Sequence, residues 1–134
     1  MLKKTITYTD YNGVQRSEDH YFNISRAEAL KMELGTSGGY VEMINRMIEA
    51  KDQPALLKVF DEFILSSYGV KSPDGKHFMK QDENGNSLAL MFKQTEAYSE
   101  LLWELVTNAD EAAKFVNGTI ASAGDAPVAV PAAN

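Results

Sequence analysis

Histidines, carboxylate pairs and serines are the residues of this chain that could do chemistry, and their spacing decides which chemistry is open. His20 and His77 are its two imidazoles, and a metal site or a general base would need a second ligand or an orienting carboxylate beside one of them. They stand far apart, His20 in a segment that reads as strand and His77 next to a turn. Asp61-Glu62 and Glu18-Asp19 are adjacent pairs, and sequence neighbours on a helix or strand do not face each other. Ser66 and Ser67 end an apolar helical stretch with no histidine nearby in sequence. The absence of cysteine removes thiolate nucleophiles, disulfides and Cys-rich zinc sites together.

Loops that hold ions or phosphates fare no better. A calcium loop with Gly85 at its sixth position would begin at Lys80 and end at Met91, neither of which can ligate calcium. Neither the Walker pattern nor a strand followed by G-x-G-x-x-G occurs, so Gly35 to Gly39 reads as a linker. The expectation is a non-enzyme with no catalytic, cofactor-binding or metal-binding residues. A small hydrolase using His77 with Asp74 or another carboxylate stays open as an alternative from another class. The six methionines offer a different use, because a flexible thioether repacks against varied apolar partners, although it fills cores as readily. The residues chosen as partner contacts are Tyr40, Met43 and Met47, beside the glycine breaks, and Lys71 and Phe78 at the two ends of a loop.

The elements that would position these residues come from local pattern. Lys3 to Thr9 alternates, with Ile6 and Tyr8 on one side and threonines on the other, and Val14 to Phe22 can answer it as a second strand. Asp10-Tyr11-Asn12-Gly13 between them suits a tight turn, so an N-terminal β-hairpin is predicted. Ser25-Arg26-Ala27-Glu28 is a capping box for a helix to about Leu34. Past the glycine break, Tyr40, Ile44, Met47 and Ile48 share one face of a second helix.

Pro54 suits the first turn of a third helix that runs to about Tyr68, with Leu56, Leu57, Phe60, Phe63 and Ile64 at core-facing spacing. Ser72-Pro73-Asp74-Gly75 is a turn, and Asn84-Gly85-Asn86 a further break before a short helix from Ser87 to about Lys93. Thr95 suits the N-cap of a helix carrying Tyr98, Leu101, Leu102 and Leu105. Asn108-Ala109-Asp110-Glu111 resembles a second capping box for the helix with Phe115 and Val116. The predicted fold is α+β and mostly α-helical: an N-terminal β-hairpin, then five to six short helices in a compact set, then a flexible C-terminal tail. By residue, one domain spans 1–118, with the hairpin in 1–24 and the helical region in 25–118, and an Ala/Pro-rich tail spans 119–134.

With 134 residues, 44% of them hydrophobic and 24% charged, the chain has the balance of one globular core. Its formal net charge of -6 disfavours binding to nucleic acid and to anionic membranes. Polar residues interrupt the opening segment after Lys3-Lys4, so no export signal is predicted, and no segment has the length of a membrane span.

Four segments carry a family likeness: Lys4 to Gly13 with the return Tyr21-Phe22-Asn23, the break from Glu33-Leu34 to Gly39, Tyr68 to Phe78, and Gln94 to Leu101, joined by Phe115-Val116-Asn117-Gly118. In these the chain resembles the tail assembly chaperones of long-tailed bacteriophages, especially those of Gram-positive hosts. The resemblance departs at an apparent insertion, Gln81 to Asn86, and at the Ala/Pro-rich end. It implies a late, non-catalytic protein of the host cytoplasm that binds the tape measure protein, keeps it soluble and helps tail tube protein assemble around it. Such a protein would be absent from the mature virion, and self-association is among its expected properties. A structural tail component or small adaptor retained in the virion is the alternative that the same likeness leaves open.

Overall fold

The computed structural model describes residues 1–120. Strands β1 (Leu2–Thr9) and β2 (Gln15–Phe22) pair antiparallel in continuous register from Leu2 opposite Phe22 to Thr9 opposite Gln15. The turn between them is held by Asp10, whose carboxylate accepts from the backbone N–H groups of Asn12 and Val14 at 2.9 Å each, while Gly13 adopts a φ of 79° that a Cβ would oppose. Alternation then divides the hairpin. Thr5 and Thr7 face solvent and meet Asp19 and Ser17 across the pair. Ile6 and Phe22 turn into the core.

Helices dominate the chain after this hairpin: α1 (Arg26–Leu34), α2 (Tyr40–Glu49) and α3 (Gln53–Ser67), then α4 (Leu88–Lys93), α5 (Glu96–Thr107) and α6 (Ala109–Thr119). Their starts agree with the predicted caps. Ser25 and Glu28 form both halves of a capping box, and Thr95 accepts from the Tyr98 N–H. At Asn108 only the forward half forms, its side chain accepting from the Glu111 N–H. The α+β, mostly helical class is what the structure has.

Two expectations need correction. Residues 25–118 are not all helical, because β3 (Tyr68–Lys71) and β4 (Phe78–Met79) lie between α3 and α4. Tyr68 and Gly69 pair with Phe22 and Tyr21, which extends the hairpin into a four-stranded antiparallel sheet of order β1-β2-β3-β4. The predicted tail also begins too early: α6 runs on through Thr119, which is buried, and Ile120 closes it. The remainder of that tail lies outside the described residues. Gln81 to Asn86, where the resemblance departs, is an ordered turn closed by a bridge between Gln81 and Ser87. Asp82 accepts there from Asn84 and Asn86, as Asp10 does from Asn12 and Val14.

Aromatic rings tie the layers together. Phe22 is fully buried and meets Tyr68, Phe92 and Phe115 edge-on, at 5.0 to 6.0 Å between ring centres. Phe63 continues the chain of rings from Phe115 to Phe60. Edge contacts of this kind contribute beyond their buried area. Lys4 adds a polar tie from β1 to the last two helices, 2.8 Å from Glu104 and 3.4 Å from Glu111.

Candidate partner-binding groove

The residues chosen from sequence fall into two separate places. Tyr40, Met43 and Met47 lie on α2, which packs against α1, α3 and α6. All three are half-buried against the core. Tyr40 stacks on Phe63 with 6.1 Å between ring centres and 21° between planes, and burial, ahead of the nearby Glu62 charge, pushes its phenol pKa up to about 12. Lys71 and Phe78 stand opposite each other in the β3–β4 ladder, on a hairpin that joins β2 and α4. Lys71 is exposed and Phe78 half-buried, with the Lys80 ammonium 5.4 Å from the centre of its ring.

The residues with potential chemistry are also apart. His20 is half-buried, its ring 4.8 Å from that of Phe92 and its Nδ1 3.2 Å from the Tyr68 hydroxyl. Burial lowers its pKa, against the opposing charges of Glu18 and Asp19. His77 is exposed beside its turn. Asp74 accepts from the Lys76 N–H and the Ser72 hydroxyl, contacts that hold its carboxyl below the usual range. Ser67 is buried and donates to the carbonyl of Phe63 at 2.8 Å, so it satisfies its own helix end. Among the described residues no group of three or more His, Cys, Asp or Glu could hold a metal ion, and no helix is long and apolar enough to cross a membrane.

A continuous apolar surface does occur between α3 and α5. On α3, Leu56, Val59, Phe60, Phe63 and Ile64 are buried, whereas Leu57 points outward and stays 50% exposed. This corrects its expected place in the core. On α5, Ala97, Tyr98, Leu101 and Leu105 face inward and Trp103 stands 73% exposed. Leu57, Leu102, Trp103 and Val106 line a groove of about 400 Å³, with Gln53 and Thr107 at one end and Tyr98 in its wall. A neighbouring hollow of about 220 Å³ shares Gln53, Val106 and Thr107 and carries the depression on toward Ala109 and Ala112 of α6.

The groove is built on fixed parts. The Tyr98 hydroxyl donates to the Asp61 carboxylate, which also lies 3.5 Å from the Lys93 ammonium, so α3, α4 and α5 meet at one point. Burial first, then that bond, pushes the Tyr98 phenol above its ordinary range. Thr107 donates to the Trp103 carbonyl at 2.7 Å and steadies the turn that carries the indole. Apolar walls with a few polar groups at the ends suit an apolar ridge from another molecule.

Sequence reading passed over Trp103, although a signal existed. Trp103 lies about 200° around the helix from Leu101, so the chain's single tryptophan is placed where an amphipathic helix should be polar. A family model described as phage tail assembly chaperone matches residues 1–122 of this chain. No curated protein and no solved structure matches it significantly.

Proposed function

The chain belongs to the phage tail assembly chaperone family, and from that premise we propose that it binds the tape measure protein through the α3–α5 groove. It keeps that client soluble and promotes assembly of tail tube protein around it. A long helical client presents apolar residues every three to four positions, and a groove between two helices receives such a ridge without any reaction. The observation that carries the reading is Trp103 standing 73% exposed beside the half-exposed Leu57, a pair that the fold itself does not need to bury. Large apolar side chains left out on a rigid groove mark an interaction surface. The protein acts in the host cytoplasm, by this reading, and leaves before the virion is complete.

Covering the exposed half of Leu57 contributes about 1 kcal/mol, and an aspartate left under an apolar client costs at least about as much again, together roughly thirtyfold in affinity. Co-expression with the tape measure protein of the same phage is expected to yield a soluble complex. Leu57→Asp is expected to fold and yet weaken that complex by roughly thirtyfold. A client that stays insoluble beside the parent chain, or that binds the Leu57→Asp chain equally well, refutes the proposal. A stoichiometric signal in mass spectrometry of purified virions refutes the departure step.

A further inference from the structure

The two outer strands of the sheet are β1 and β4, and the fold treats them differently. An outer strand presents unpaired N–H and C=O groups, which proteins blunt with shortness, charge, proline or a bulge. β4 is two residues long, so shortness protects it. β1 has eight residues in unbroken register with β2, and Thr5 to Thr9 contains neither proline nor a charged residue. Lys4, which could have guarded the edge, is drawn to Glu104 and Glu111. In an antiparallel pair alternate residues aim their backbone groups away from the partner strand, so part of the β1 backbone points outward.

Beside that edge lies a hollow of about 210 Å³ between Lys4 to Thr7 of β1 and Glu100, Trp103 and Glu104 of α5. One wall is strand backbone, and the other carries two carboxylates and an indole. Glu100 is exposed and has no ion pair among the described residues, where Glu104 has Lys4. The wall is thus left with an uncompensated negative charge, and the chain as a whole carries -6.

We propose that this slot binds an extended peptide segment of a partner protein, which adds to β1 as a fifth strand and turns basic side chains toward Glu100. Main-chain hydrogen bonds supply the affinity in this mode, and alternate side chains supply the selectivity. The slot and the helix groove adjoin at Trp103, which lines both, but Leu57 lines only the groove and Glu100 only the slot. One surface accepts a helix and the other a strand.

The test uses an end-capped octapeptide of alternating lysine and valine, titrated into the isotope-labelled full chain and followed by backbone amide shifts and hydrogen exchange. The amides of Thr5 to Thr9 are expected to shift, and the alternate ones that point away from β2 to gain protection. Methylating alternate backbone nitrogens of the peptide should abolish binding, because the ladder bonds are lost. Glu100→Lys should weaken it about fivefold, the scale of one exposed charge pair, while Leu57→Asp should leave it unchanged. Absence of binding overturns the proposal. So does binding that survives methylation, or shifts that map away from β1, since either would mean general attraction of a cation to an acidic protein.

Discussion

Replacing Gly69 with alanine tests the packing of the second hairpin at its tightest point. Gly69 is buried in β3 opposite Tyr21, and its φ lies outside the left-handed region, so an alanine backbone could adopt it. Space is what is missing. A Cβ there would stand 2.5 Å from Phe78 Cε2 and 2.6 Å from the Met79 carbonyl oxygen. The ring can turn aside, but the carbonyl belongs to the β3–β4 pair and must retreat by about 0.8 Å to reach ordinary contact at 3.4 Å. Overpacking of this kind costs about 1–3 kcal/mol. Taking about 2 kcal/mol for Gly69→Ala, and roughly 4 °C per kcal/mol for a domain of this size, the melting temperature should fall by about 8 °C. Urea unfolding followed by circular dichroism would report the same loss with an unchanged slope. Adding Phe78→Leu should recover only part, because the carbonyl contact persists. A Gly69→Ala chain within about 0.5 kcal/mol of the parent would refute the close approach of the two strands, given the scale of surface-like substitutions.

Two titrations bear on the fold. Tyr40 has a phenol pKa raised from 10.0 to about 12 chiefly by burial, so its contribution is complete below pH 10 and is lost as pH climbs through about 12, when the unfolded chain ionises first. Tyr40→Phe should remove that alkaline loss, as read by unfolding at a series of pH values. Asp10 has a carboxyl held below its ordinary 3.8, first by the Arg16 guanidinium and then by the Val14 N–H. Its contribution is present above that ordinary value and disappears as pH falls through the lower, folded one. The Asn12 and Val14 amide signals are expected to move together in acid, and a transition at or above 3.8 would contradict the assignment.

What the sequence could and could not reveal divides along the range of the interactions. The first hairpin was readable because its turn residues, Asp10 to Gly13, and the alternation of Ile6 and Tyr8 with the threonines are local signals. Helix starts at Ser25, Thr95 and Asn108 were readable for the same reason, since a cap bonds a backbone group three residues away. Strands β3 and β4 were not readable, because four residues ending an apolar helix become a strand only when Phe22 and Tyr21 offer a ladder from far along the chain. Periodicity also blurs on α3, which carries apolar residues over most of its surface, and Leu57 could not be told from Leu56 by spacing. On α2 the spacing did find a shared face for Tyr40 and Met47, and the structure turns that face toward Phe63 and the core. Of the groove, Tyr98 and Leu102 were placed on the correct helix, while its exposure depends on where α3 ends up against α5.

The closure of the sheet onto the last helices has a consequence for how the chain is made. Among the described residues β1 leaves the ribosome ahead of every helix, yet its inner face is covered by α5 and α6, the last two of those helices to be synthesised. The Ile24 amide finds its acceptor in the Thr119 carbonyl, and Leu2 lies against Gly118. The hairpin can form early by itself, but a lone hairpin is marginal in water. Phe22 can meet Tyr68 and Phe92 once α4 is made, but the β1 face with Ile6, and the contact of Phe22 with Phe115, must wait for α5 and α6, so the last packing step comes only once α6 is free of the ribosome.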